Sequence, residues 1–509
     1  MGERTVTDTE VAVAPPAGKG LMNSAIGLLS STIIGLAATA PAYSITATLG
    51  FVVIAVGLHA PAVMFLAFFP MAAIAVGYAQ LNRVDPDCGT VFTWAARAIG
   101  PRTGWIGGWV ATLASVIAMA YLAGIAGSYL FLLFGADGVA AGHTWTTVAG
   151  VAIVLVMTYV CYRGIQISAR LQYVLFGIEA ALLVIFSVVA LFKVYTGHAP
   201  AGNLHPALTW FSPFGSGGTQ AFTTGLLLAL FIYWGWDSAV SVNEETSDRR
   251  RNPGRAAIVS TIVLLGLYML VSVAAQAYGG VGTKGLGLAN LATAPDVLAH
   301  LGQSVLGGAL NKLLILATLS SAIGALQTGI LPTARTTLAM GIYGALPASF
   351  ARIDRRFATP NVSTLAIGGL TALVFAVLTY VSQGRIQADS ILSIGLLIAF
   401  YYGMVGYTCA WHFRKELRSG GRTLLVKGLI PLFGALVLTY AFAESAIQMW
   451  KPSYGYTSFH GIGGVFVLGI GTIVAGLVIM LAYRLARPQF FLAGRNLPTA
   501  PELAEPARS

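Results

Sequence analysis

Phe231-Ile232-Tyr233-Trp234-Gly235-Trp236-Asp237-Ser238 sets a glycine and a carboxylate in the middle of an apolar run covering 219–243. Counted back 200 residues from Gly235, Gly35-Leu36-Ala37-Ala38-Thr39-Ala40-Pro41 interrupts another, 25–56, with a glycine, small residues and a proline. Each interruption leaves backbone N–H and C=O groups without helical partners, and in hydrocarbon these must face protein, a wet cavity or a ligand. One such site alone could be a kink in a packed helix. Two, in matching positions of two halves, are the best sequence pointer to a transporter binding site.

The rest of the chain supports a membrane setting. Hydrophobic residues make up 56% of the 509 and charged residues 9%, where a soluble domain carries roughly 25% charged. Cys88, Cys161 and Cys409 are odd in number, which excludes a disulfide scaffold. Apolar stretches long enough to cross about 30 Å of hydrocarbon can be centred twelve times: 25–56, 60–81, 104–134, 145–162, 168–193, 219–243, 256–278, 309–334, 362–381, 388–411, 424–443 and 461–483. The pattern predicts an all-α membrane protein with 12 transmembrane helices, the first and sixth broken. Of the 29 Lys and Arg, 24 fall on the N-tail, the even-to-odd loops and the C-tail, which puts both termini in the cytoplasm. The net charge of +11 is therefore topology; its partner is the lipid bilayer, not nucleic acid. The polar tails, 1–20 and 488–509, are expected to be disordered, and residues 1–20 lack a cleavable signal pattern. Stretch 83–103 has the pattern of an amphipathic half-helix, and 295–301 that of a short helix in the longest outer loop.

Intramembrane carboxylates cost roughly 2.5–3.5 kcal/mol on insertion scales, so each is a functional candidate. Glu179 lies nine residues beyond Arg170 among apolar neighbours, about 13 Å along a helix. Burial favours the protonated form of any carboxyl, the property a proton-coupling group needs; the alternative is a neutral structural glutamate. Asp237 could accept from a bound ammonium, or could cap the half-helix that follows. Gly35, Ala38, Thr39, Ala40, Phe231, Tyr233, Gly235, Trp236 and Asp237 form the candidate substrate site. The aromatics among them could equally face lipid or core. Ser320 and Ser321 either bond across helices or complete an ion site with the first break. The seven His are dispersed without metal-ligand spacing, and no phosphate-loop lysine follows Gly279-Gly280-Val281-Gly282. No enzyme, metal or cofactor is expected.

Pro86-Asp87-Cys88-Gly89-Thr90-Val91-Phe92-Thr93-Trp94, then Arg97, Gly100-Pro101 and Gly107-Gly108-Trp109, resembles the inner-loop signature of the amino acid–polyamine–organocation transporters. Gly235-Trp236-Asp237 with Asn243-Glu244-Glu245-Thr246 and Asn252-Pro253-Gly254-Arg255-Ala256 resembles that family's span-six signature. Thr333-Ala334-Arg335, Leu346-Pro347 and Thr359-Pro360 match the loop after span eight. The resemblance implies a leucine-transporter-like inverted repeat of five plus five helices, 21–193 and 194–411, with two added C-terminal helices in 412–487. It also puts Phe231 near an aromatic gate, and Glu179 where some proton-coupled members carry a lysine in place of sodium. One departure stands out. The family's first break usually supplies bare amides from a Gly-Ser/Thr-Gly-like segment, whereas here Ala37-Ala38-Thr39-Ala40-Pro41 follows Gly35-Leu36.

The function expected is secondary active uptake of an amino acid or amine across the cell membrane by alternating access, driven by protons, with sodium a second option. In the family's exchangers, Asp after Gly-Trp accompanies cationic substrates, so Asp237 favours a basic or amine substrate. Exchange without net ion coupling is the alternative within transport. A transporter-like sensor or channel is the alternative outside it, and the sequence offers neither a long signalling tail nor a pore-loop filter.

Overall fold

The computed structural model describes residues 19–215, 217–308, 310–381, 385–495 and 497–498. Most of the expected N-terminal disorder, 1–18, and the C-terminal stretch 499–509 lie outside the described residues. Two parts of the tails depart from the expectation. The Lys19 side chain is fully buried, and Gln489–Leu492 forms a short helix whose Phe490 stacks on Phe92 at 5.7 Å between ring centroids.

Helix dominates the described residues, with one two-stranded hairpin, Ser458–Phe459 and Ile462–Gly463. Ten segments are long and apolar enough to cross a membrane. The first, Leu28–Val84, is a 57-residue run that includes both expected spans one and two. Expected span six is represented by Thr219–Phe231, 13 residues or about 20 Å of helix, followed by turns and the short helix Ser238–Ser241. Twelve separate crossings thus stay an expectation. Asn311–Ile342 and Arg385–His412 each bury 72% of their apolar window, against 17% for Gly464–Ala486. The first two form the centre and the last the rim. The predicted half-helix of 83–103 appears as Val91–Ala98, and the outer-loop pattern as Val297–Leu306, capped by Asp296.

Both interruptions exist, but the first is displaced. Leu28–Ala38 ends beyond Gly35, and Pro41–Val56 begins after Ala40, whose φ of 46° is left-handed. Proline fits the first helical position because its missing N–H would be unpaired there anyway. The carbonyls freed at the break are taken up locally: Thr39 Oγ1 donates to Leu36 O at 2.7 Å and Ser44 Oγ to Thr39 O at 2.6 Å. Gly35 is a packing position within the first half-helix. A Cβ there would lie 2.8 Å from Ser260 Oγ and 3.1 Å from Trp236 O. Leu28–Ala38 packs against Ile165–Tyr195, Asn252–Gly279 and Asn311–Ile342, so the helices carrying Glu179 and Ser321 flank the first break.

Candidate substrate and coupling site

The two breaks touch. Gly235 has φ 120°, and a Cβ on it would meet Ala38 O at 2.5 Å and Thr39 N at 3.0 Å. Only a residue without a side chain fits that conformation and that approach.

Glu179, 1% exposed on Ile165–Tyr195, reaches the start of the second half-helix. Its Oε1 accepts from Ala42 N at 2.6 Å and from Ser321 Oγ at 2.7 Å. The Ser321 hydroxyl oxygen in turn accepts from Tyr43 N at 3.3 Å. Three helices are joined through one carboxylate at the break. Ser320, paired with Ser321 in the sequence expectation, is not part of this arrangement; its hydroxyl donates back to Ala317 O in its own helix at 2.9 Å.

Asp237 makes no side-chain cap for Ser238–Ser241, which sets aside the capping alternative. Its carboxylate accepts instead from Tyr402 OH at 2.8 Å and Tyr401 OH at 3.4 Å. Tyr401 OH also receives the indole N–H of Trp234, and Tyr402 OH the backbone N–H of Gly235. The carboxylate, the break and two aromatic rings therefore form one hydrogen-bonded unit. Tyr233 and Trp236 pack beside it without a hydrogen bond to the carboxylate. Tyr233 OH donates to Met64 O at 3.1 Å, and Trp236 packs between Tyr78 and Tyr402.

Two cavities meet at this unit. One, of about 60 Å³, lies toward the face that carries Lys19 and is lined by Gly235, Asp237, Thr333 and Tyr401. The other, of about 230 Å³, lies toward the opposite face and is lined by Thr39, Ala40, Phe231, Ile394 and Tyr454 among others. Ala38, Ala118, Leu122 and Trp234 line both, so they form the partition. Of the sequence candidates, Ala38, Thr39, Ala40, Phe231, Gly235 and Asp237 border a cavity; Gly35, Tyr233, Trp236, Glu179, Ser320 and Ser321 border neither. Tyr401 and Tyr402 were missed as site residues. The one signal for them was a Tyr-Tyr pair inside an apolar helix.

Below the smaller cavity the Lys19 face is closed by charge. Lys19 Nζ lies 2.6 Å from Asp87 Oδ1 and 2.8 Å from Glu244 Oε1. Arg97 bonds Asp85, Asp87 and Tyr343 OH, and Arg335 grips Glu245 at 2.7 and 2.9 Å. Asp87, Cys88 and Glu244 cluster within 4.8 Å, a spacing that could hold a metal, but the Lys19 ammonium already sits against all three.

A helix interrupted within a membrane persists only where its free backbone groups meet protein or a cavity, and both conditions hold here; the molecule is built as a multi-pass membrane carrier. A family model described as amino acid permease matches residues 24–470, and the chain belongs to that family. The branched-chain amino acid permease BcaP of Lactococcus lactis subsp. cremoris (strain MG1363) is 24% identical, over 82% of this chain and 87% of its own. The low-affinity putrescine importer PlaP of Escherichia coli (strain K12) is 22% identical, over 84% and 89%. Among solved structures, MhsT in complex with L-phenylalanine superposes with a TM-score of 0.55 at 14% identity, over 80% of this chain and 98% of that one. At that identity the likeness shows the fold alone, which is leucine-transporter-like. The chain is an integral membrane transporter for amino acids or amines, and not an enzyme.

Proposed function

We propose that the protein takes up an amino acid or amine together with a proton, by alternating access around the two touching breaks, with the Lys19 face toward the cytoplasm of the cell. The basic bias of the loops supports that orientation. The observation that carries the coupling is Glu179, a buried carboxylate that bonds Ala42 N and Ser321 Oγ at once. Adding or removing its proton changes the charge against which the second half-helix is anchored, so proton occupancy and the position of the break are linked.

Glu179→Gln keeps the shape and an acceptor for Ala42 N but cannot titrate. The variant is expected to retain substrate exchange across proteoliposomes and to lose at least about tenfold of pH-gradient-driven accumulation, one factor of ten being about 1.4 kcal/mol of driving force. Full accumulation by Glu179→Gln would sink the proton role. A strict sodium requirement would shift it to an ion site in which, of the two serines, only Ser321 faces the break.

Among the described residues Asp237 is the one charged residue bordering either cavity, and we assign it the substrate ammonium. A charge-assisted hydrogen bond is worth roughly 1.5–3 kcal/mol, or about 10- to 150-fold in affinity. Asp237→Asn should therefore weaken lysine, putrescine and alanine alike by that factor, since each presents an ammonium, read by competition in uptake. Unchanged competition by all three would leave Asp237 only its bonds to Tyr401 and Tyr402.

A further inference from the structure

Given the transport reading above, we propose that the site recognises its substrate as an amine, through an ammonium group and an uncharged chain, and that a substrate carboxylate contributes no affinity.

Where a helix restarts inside a membrane, the first backbone amides of the second half, at the positive end of its dipole, are the natural seat for an anion. Here every one is already occupied. Pro41 has no N–H, Ala42 N donates to Glu179 Oε1 at 2.6 Å, Tyr43 N to Ser321 Oγ at 3.3 Å and Ser44 N to Ala40 O at 2.7 Å. Before the restart, Thr39 N and Ala40 N close back on Leu36 O and Ala37 O, both at 3.1 Å. The carboxylate seated on this half-helix belongs to the protein itself. The hydroxyls of Thr39 and Ser44 are likewise spent on backbone carbonyls. At the other break, Gly235 N is held by Tyr402 OH, and Ser238 N and Ala239 N close on Gly235 O and Trp236 O.

Charge gives the same answer. No Lys, Arg or His borders either cavity among the described residues, and the one ionisable acid that does is Asp237. An entering carboxylate would surrender its hydration without a free amide at the first break and without a cation at either cavity, which is the costly way to bury an anion. An ammonium finds Asp237, and the larger cavity beside it is lined by Phe231 and Trp234, aromatic residues of the kind that attract cations. The larger cavity, walled by Leu227, Leu228, Phe231, Ile391, Ile394 and Ile398 and free of charge, suits an alkyl chain.

The test uses pairs that differ only in the carboxylate: cadaverine against lysine and 3-methylbutylamine against leucine, as competitors of labelled putrescine counterflow in proteoliposomes. Each amine is expected to compete as well as its parent amino acid or better. A parent that competes more than threefold better than its amine overturns the proposal. If none of the four competes and putrescine shows no counterflow, the transport reading falls as well, an outcome distinct from a preference for the carboxylate. Ser321→Ala checks the cause. It removes the acceptor from Tyr43 N and is expected to move the ratio at least threefold toward the amino acid. An unmoved ratio would mean that occupied amides do not exclude the carboxylate, and overturns the proposal.

Discussion

Gly235→Val is expected to reduce transport by at least about 100-fold in a protein that still inserts and stays monodisperse. Two separate penalties act at this position. Its φ of 120° lies where residues with a Cβ are strained, typically by about 1–3 kcal/mol. In addition, the new Cβ would sit 2.5 Å from Ala38 O and 2.7 Å from Ala38 C. Those are backbone atoms of the first break, and they cannot swing aside as the end of a side chain could. Overpacking of this kind adds a further penalty of about 1–3 kcal/mol. Relief must come from separating the two breaks, which breaks the bond from Gly235 N to Tyr402 OH and loosens the hold of Tyr402 on Asp237. Counterflow and ligand-induced thermal shift on the detergent-purified variant would measure the loss. Unchanged affinity in a well-folded Gly235→Val protein would mean that substrate does not bind between the breaks.

Local chemistry made part of this site legible in advance. Asp237 and Glu179 stand out because charge is rare in apolar stretches, and Gly235 because it sits beside a carboxylate in the middle of one. The register of the first break was not legible. Apart from Leu36, Gly35 through Ala40 are all small, and the bond that anchors the restart at Pro41 runs from Ala42 N to a glutamate 137 residues away. For the same reason Tyr401 and Tyr402 went unnoticed. A tyrosine in a membrane helix has no local mark of function, and the contact that gives these two theirs is with Asp237, at least 164 residues distant in sequence. Tyr233 and Trp236 erred in the other direction. They lie in the broken segment, but which way each ring turns is decided by packing against Phe68, Tyr78 and Tyr268. Lys19 was counted only as one of the basic residues that orient the chain. Its burial depends on Asp87 and Glu244, 68 and 225 residues away, and no window of sequence contains that information.

Lys19→Ala is expected to open the Lys19 face. The ammonium joins the N-terminal segment to Asp87, just before Val91–Ala98, and to Glu244, just after Ser238–Ser241, so it is a closing contact for that end of the molecule. The lock holds steady across ordinary pH. Burial alone would push the Asp87 carboxyl up, but Lys19 and Arg97 hold it below the usual carboxylate range. Its contribution is therefore present above the unfolded value of about 3.9 and is lost only as pH falls through the depressed one. Burial would push Lys19 down, yet Asp87, Cys88 and Glu244 raise it above the ordinary lysine value. Its contribution is full below about 10.4 and is lost only in stronger alkali. Between pH 5 and 8 both groups stay charged, so a pH response of transport in that window has to arise elsewhere, as the Glu179 proposal requires. Removing the ammonium leaves Glu244 buried without a cation, at about 3–5 kcal/mol for a broken buried pair. That penalty falls on the closed arrangement and moves its ratio to the open one by roughly 100-fold or more. Cys88 supplies the readout: it is fully buried, with Sγ 3.5 Å from Lys19 Nζ, and burial pushes its thiol up, which slows its reaction while the face is closed. In a Cys161→Ser, Cys409→Ser background, a membrane-impermeant maleimide applied to inside-out vesicles should label Cys88 at least about tenfold faster in Lys19→Ala. Concentrative uptake should fall in parallel, and Lys19→Arg should restore part of both. Labelling as slow as in the parent would mean that the ammonium only fills space between the two carboxylates, and that the face is held shut by the Arg97 and Arg335 pairs alone.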